Sequence, residues 1–433
     1  DLARQATVSH TASLAGSDAG ADALLRRLGI ARVHDLPSFL ETLKLLHCNG
    51  PLENNVLSSI SCSGGEASLV ADAAHGYALT LPSLTAAQKT TLSAALGPMV
   101  ALSNPLDYHT YIWGDGDKMA DAWEPMAAAH IGLLLIVVDY PHTDAGDWLC
   151  ATDAAISVRQ RSGKPVAVVA TLPELMPIDV AATLMAAGVT PMCGVRETMV
   201  AAQAAAQSAC VNPVPPVIAG PDRVATVLSE AEAKALLQSH GMPIPFGVVV
   251  TEPAELTASA EHLKTPLVLK GQGIAHKSDA GAVQLNLTPD DLVKAAGNMD
   301  ADCYLVEEMV GGAVAELLIG IARDPAHGFV LTLATGGVLT ELWRDSVTLL
   351  VPASPAEVTA GLKGLQTYPL LSGFRGKPAA HIPAIVDAIM ALQRCVVALA
   401  DRITEAEVNP LICTPTGAIA ADALIAMAPD QTP

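Results

Sequence analysis

The sequence predicts an α/β protein of about three domains, and three observations carry that expectation. Strand-like apolar runs alternate with helical patterns through residues 49–210, which predicts a parallel sheet of flavodoxin-like type. The stretch VNPVPPVIAGP at 211–221 resists both helix and sheet and reads as a linker. Residues 222–433 then open a new domain centred on the tract PLVLKGQGIAHKSDAGAV at 266–283.

Composition bounds the function before any motif does. Of 433 residues 51% are hydrophobic, ample for several cores, and 44 acidic against 24 basic residues give a formal charge of -20. That balance disfavours nucleic acid and anionic membrane as partners, so any bound anion must be held by local lysines. Eight cysteines stand singly with no metal-ligand spacing, the pattern of reduced thiols in the cytoplasm. The longest apolar run, 131–138, is far shorter than the roughly 18 residues a membrane span needs, and no signal-peptide pattern is visible.

In chain order, VSHTASLAG at 8–16 is a small polar loop ahead of a helix in which Ala21, Leu24, Leu25 and Leu28 recur at helical spacing and Gly29 supplies the stop. The free N–H groups of a helix starting just after His10 would stabilise a phosphate carried on that histidine, although the residues alone equally fit a loop or capping histidine. Two helical segments and a short extended piece at 31–33 cannot close a domain within residues 1–48. Residues 55–60 read as a strand, and Ser61-Cys62-Ser63-Gly64-Gly65 opens a helix at 66–75. Strand, glycine turn and helix N-terminus suit an anion at Ser63, Gly64 and Gly65, and also suit an ordinary βα turn. Strands are expected at 99–103, 131–139, 165–171 and 189–192, with helices at 85–96, 117–129, 145–162 and 178–187. The loop SNPLDYHTYIWG at 103–114 is aromatic in a chain with 3% aromatics, so Tyr108, Tyr111 and Trp113 read either as substrate contacts or as an interface patch.

Past the linker, Ser229-Glu230-Ala231-Glu232 is a capping box that opens a helix up to His240. Leu267, Val268 and Leu269 form a buried strand, Lys270 ends it as a cation, and a glycine-rich tip leads to a second strand at Val283–Leu287. His276 on that tip is a competent nucleophile when neutral, and the lysines beside it, Lys277 among them, would attract a phosphoryl donor. A strand at 304–307 runs into Glu308, Met309 and Val310. Near the end, Glu407, Asn409 and Asp422 offer oxygens at the ends of two strands, 402–408 and 418–421, a set that suits magnesium, which takes one or two protein oxygens beside phosphates. Asn409-Pro410 by itself also fits a plain turn.

HKSDAGAV, with VLK upstream and VEEMV, EVNPL and AADALI downstream, resembles the ATP-grasp part of the nucleoside-diphosphate-forming acyl-CoA synthetases. That family includes ADP-forming acetyl-CoA synthetase and is related to succinyl-CoA synthetase. SHTASLAGSDAGADALLRRLGI is similar to its active-site segment, where the corresponding histidine is phosphorylated. The likeness runs over nearly the whole chain in the family's domain order. It implies that 1–48 are the C-terminal part of a flavodoxin-like ligase domain carrying the phosphohistidine loop, that 49–210 are a second such domain, and that 222–433 are an ATP-grasp domain. His10 and His276 would be catalytic. Lys270, Lys277, Glu307, Glu308, Met309, Val310 and Arg344 would bind the nucleotide, with the 307–310 strand end meeting the adenine edge through its backbone. Ser63, Gly64, Gly65, Gly336 and Gly337 would bind phosphate, and Asn409 and Asp422 magnesium. The chain departs from many members at Leu349, where they carry an arginine.

The resemblance thus implies a ligase that joins a carboxylic acid to CoA, converting ATP to ADP and phosphate through a phosphohistidine relay and an acyl phosphate. The CoA site would lie in a domain preceding Asp1, so a homo-oligomer or an associated CoA-binding domain is expected. A lyase of the same superfamily and a non-catalytic ligand-sensing module are the alternatives.

Overall fold

The computed structural model describes residues 16–208, 214–220, 223–272, 281–336 and 345–429, and the chain divides into two compact units, Leu25–Pro213 and Asp1–Leu24 with Val214–Pro433.

In the first unit five parallel strands, β1 (Leu57–Ser61), β2 (Leu106–Asp107), β3 (Leu133–Val137), β4 (Val166–Ala170) and β5 (Thr190–Cys193), lie in the order 2-1-3-4-5. This is the flavodoxin-like order, in which the direction of winding reverses between β1 and β3. Runs such as LLLIV and VAVVA are buried throughout because helices cover both faces of the sheet. Alternate side chains serve opposite cores: Ile60, Leu134, Ile136 and Val168 pack with Trp123 and Val158 on one face. Leu57, Leu133, Leu135 and Val169 pack with Leu45, Val70 and Met199 on the other.

The expected strand at 99–103 and the surface role of Tyr108 are corrected here. Residues 99–103 are not a strand; the side chain of Asn104 takes over part of β1's hydrogen bonding, accepting from Ser59 N at 3.0 Å and donating to the Leu57 and Pro82 carbonyls, each at 3.0 Å. Of this segment only Leu106–Asp107 then pairs with β1. Tyr108 is a core residue, 2% exposed and edge-on to Trp123 at 5.8 Å, so it is not a surface contact; Trp113 is half-buried and packs edge-on to Trp148 at 5.9 Å. Within the described residues 214–220, Val217 N donates to Val351 O at 2.9 Å and Gly220 N to Ala400 O at 3.1 Å, which ties these residues to the second unit.

The second unit holds two antiparallel sheets. Its strands are β6 (Thr226–Val227), β7 (Gly247–Val250), β8 (Leu267–Gly271), β9 (Val283–Leu287), β10 (Tyr304–Glu308), β11 (Ala315–Asp324), β12 (Gly328–Thr335), β13 (Ser346–Leu350), β14 (Ile403–Cys413), β15 (Ala418–Ala420) and β16 (Ala423–Met427). One sheet runs 7-10-8-9; the other runs 13-12-11-14-16-6, with β15 beside β14. Its main core gathers Ile385, Ile389 and Leu392 of the helix Ile382–Ala398 against Ile319, Leu331, Val408 and Ile425. Leu349, half-buried, packs against this core from β13. The helix Glu230–Ser239 opens on the expected capping box of Ser229 and Glu232.

Candidate functional site

In the second unit the candidate residues meet where β8, β10 and the turn before β16 come together. Lys270 follows three apolar strand residues, so its stem is buried, and the side chain is 7% exposed. Its ammonium lies 2.6 Å from Glu230 Oε1 and 3.1 Å from Glu307 Oε2, and also donates to the Ala421 carbonyl. Burial alone would lower the Lys270 pKa, but the Glu230, Glu307 and Asp422 carboxylates outweigh it and hold the ammonium above the ordinary lysine value. Lys234, one helical turn after Glu230, is displaced the other way, downward, by burial and then by Lys270.

Glu307 sits in the middle strand β10, opposite Gly247 of β7 and Val268 of β8. Its carboxylate is buried and faces the lysines. At the strand end, Glu308 N donates to Phe246 O at 2.8 Å and Met309 N to Pro266 O at 2.9 Å, so these two N–H groups are already spent. Val310, half-buried, is next in line, and its N–H has no acceptor among the described residues.

Asn409 and Asp422 come from separate strands. Ile319 faces Val408 while Leu317 faces Leu411, so Asn409 and Pro410 together oppose Leu318: a β-bulge, and not the plain turn the dipeptide also fits. Asn409 N donates to Asp422 O at 3.3 Å, which places the two residues on adjacent backbone. The Glu407 carboxyl beside them is pushed up, by burial first and by Glu405 and Asp422, while a hydrogen bond with Asn409 opposes the shift. Among the described residues no three His, Cys, Asp or Glu side chains gather as a metal centre.

Gly336 is packed so tightly that an added Cβ would come 2.8 Å from the Leu317 carbonyl carbon. Asp345 accepts from Gln366 N, Thr367 N and Thr367 Oγ1 at 2.7 to 2.9 Å, which fixes it against the start of the helix at Tyr368–Ser372. His10, His276, Lys277, Gly337 and Arg344 lie outside the described residues.

In the first unit, Ser63 occupies the N-cap position of the helix Gly64–Ala74 without a capping hydrogen bond from its side chain. This helix start stands at the carboxyl end of β1, beside the reversal point where α/β sheets take ligands. The surroundings are more acidic than the glycine turn suggests. Burial, followed by the charges of Asp139 and Asp107, pushes the Glu66 carboxyl up to about 7. Asp139 is held by Thr171 N and Oγ1, both at 2.7 Å, and Asp107 Oδ1 accepts from His109 N at 2.9 Å.

Comparison with known proteins bears on this arrangement. Family models of the ATP-grasp domain and of the succinyl-CoA ligase like flavodoxin domain match residues 221–427 and 1–46. The beta subunit of an ADP-forming acetate–CoA ligase from Pyrococcus furiosus is 31% identical over 215 residues, 46% of this chain and 91% of that subunit. The chain belongs to the ADP-forming acyl-CoA ligases. A trans-feruloyl-CoA synthase from an unknown prokaryotic organism is 36% identical over 217 residues, 47% of this chain and 30% of that protein. An ADP-forming 4-hydroxybutyrate–CoA ligase from Nitrosopumilus maritimus is 27% identical over 456 residues, 95% of this chain and 62% of that enzyme. The chain therefore spans less than two thirds of the length of these last two relatives.

In this chain the site residues that sequence reading missed are Glu230 and Lys234. Their signal was present as an i,i+4 Glu–Lys pair, a spacing that ordinarily marks an exposed helix face. Here both are buried.

Proposed function

We propose that this chain carries the nucleotide site and the phosphoryl relay of an ADP-forming acyl-CoA synthetase. The observation that carries the reading is the meeting of Lys270, Glu307 and the Ala421–Asp422 turn, with Asn409 alongside, inside one unit. Lys270 supplies a cation for phosphate oxygens, and the 307–310 strand end, where the Val310 N–H is next in line, supplies backbone groups for the base. Magnesium fits the donor set, because Asn409 and Asp422 offer an amide and a carboxylate oxygen and phosphates complete the shell. When bound there it would neutralise phosphate charge.

In this reading His276 attacks the γ-phosphorus of ATP and ADP leaves with the bond electrons. His10 then takes the phosphoryl group from His276, and a carboxylate oxygen of the acid takes it from His10 as an acyl phosphate. The CoA thiol attacks the acyl carbon, and inorganic phosphate leaves. Splitting the transfer into steps between imidazoles lets each displacement use a good leaving group. The beta-subunit relative supports association with another subunit.

Labelled ATP tests the relay. Incubation with magnesium is expected to give an acid-labile, base-stable phosphoprotein. His276→Ala abolishes the label, and His10→Ala keeps it while net thioester synthesis is lost. Full labelling of the His276→Ala protein would show that phosphate reaches His10 directly and that the order is wrong.

A further inference from the structure

Four charges are buried together beside the candidate nucleotide site, and two of them have no part in the relay. Glu230 and Lys234 project from the helix Glu230–Ser239, Lys270 from β8 and Glu307 from β10; the four side chains are 0 to 7% exposed. Lys234 Nζ lies 2.6 Å and 2.8 Å from the two Glu307 oxygens, 2.8 Å from Glu230 Oε1 and 2.6 Å from the Ala421 carbonyl. Lys270 Nζ reaches the same three groups: Glu230 Oε1 at 2.6 Å, Glu307 Oε2 at 3.1 Å and the Ala421 carbonyl. The two ammoniums therefore duplicate one another's partners, and the four charges sum to zero.

Duplication has a physical use. Removing a cation from a buried carboxylate ordinarily leaves an uncompensated charge at a cost of several kcal/mol. A lone Lys270 would be trapped by Glu230 and Glu307 and unable to turn to an incoming phosphate. With Lys234 already touching both carboxylates and the Ala421 carbonyl, Lys270 can shift toward an anion while Glu230 and Glu307 stay paired. We propose that Lys234 is a positioning residue for the nucleotide site: it holds the two carboxylates and the Ala421 carbonyl, next to the magnesium candidate Asp422, when Lys270 engages phosphate. This inference rests on the nucleotide reading given above.

The experiment is calorimetric titration of MgADP into the whole chain, with folding of each variant checked by circular dichroism. Lys234→Met leaves Lys270 as the only cation for two acids and is expected to weaken MgADP at least about tenfold. Lys234→Met/Glu230→Gln, which is electroneutral, serves if the single variant does not fold; there Lys270 is still claimed by Glu307, and weakening is again expected. Adding Glu307→Gln to that pair removes the competing acids and is expected to regain most of the lost affinity. A structural role alone predicts no such recovery, since each step removes more of the network. MgADP affinity within about threefold of wild type in folded Lys234→Met, or in the folded pair variant, or failure of the triple variant to regain affinity, would overturn the proposal. Absence of MgADP binding to the wild-type chain would instead overturn the nucleotide reading itself, and this one with it.

Discussion

Two carboxylates on the two units respond to their surroundings with opposite signs. Glu66 is pushed up to about 7 by burial and by its acidic neighbours Asp139 and Asp107. Its folded pKa lies above the unfolded value, so the ionised form is disfavoured in the fold, and stability falls as pH rises from about 4.5 to about 7. Glu66→Gln is expected to raise the melting temperature at pH 8 and to leave it unchanged at pH 4. Residual solvent contact of this half-buried group trims the gain to about 1 kcal/mol, a few degrees. An equal rise at both pH values would mean that packing, and not charge, sets the effect. Asp324 behaves in reverse. Burial would raise its carboxyl, but the Ser17 N–H at 2.7 Å and the Ser17 hydroxyl, the Ala326 N–H and the neighbouring His327 hold it down at about 2. Its contribution is present above about pH 4 and is lost as pH falls through 2. Asp324→Asn should therefore cost about 2 kcal/mol in urea unfolding at pH 7, and the cost should shrink toward zero at pH 2. Neither environment was legible in the sequence. Glu66, Asp107 and Asp139 are brought together from a helix start and two different strand ends, and the glycine turn alone suggested an anion site or an ordinary βα turn.

Among the elements, the two-residue strand β2 carries the clearest lesson. Buried runs such as LLLIV and VAVVA were readable as strands because a parallel sheet covered on both faces demands uninterrupted apolar residues. β2 was not, since it has two residues and part of β1's hydrogen bonding is met by the Asn104 side chain. Asn104→Ala should lower stability by about 2–3 kcal/mol, because it leaves the Ser59 N–H and the Leu57 carbonyl without their partner. A loss below about 0.5 kcal/mol in chemical denaturation would mean that water replaces the side chain. The same limit applies to the Asn409–Pro410 bulge and to the buried Glu230–Lys234 pair. Spacing along one strand cannot reveal a two-against-one register, and spacing along one helix cannot reveal that its polar face meets two other charges in the core. The capping box of Ser229 and Glu232 and the hairpin partners β8 and β9 were legible because both depend on neighbours close in sequence.

At the scale of the molecule, the hydrophobic cores fall entirely within one unit or the other: Ile60, Leu45 and their neighbours belong to Leu25–Pro213, and Ile319, Leu269 and Ala23 with theirs belong to Asp1–Leu24 with Val214–Pro433. Separate cores predict separate unfolding, because cooperativity follows shared buried contacts. Scanning calorimetry is then expected to show two transitions with different handles. MgADP, whose candidate residues all lie in the second unit, should raise one transition by linkage and leave the other in place. Glu66→Gln at pH 8 should raise the other and leave the nucleotide-sensitive one in place. Applied together, the two perturbations should add, since they act on sites with no common core residue. If a single transition responds to both, the units unfold as one body and the division of the cores does not govern stability. If MgADP instead raises the transition that Glu66→Gln also raises, the nucleotide lies against the parallel sheet, and the assignment of Lys270, Glu307 and Asp422 to its binding fails.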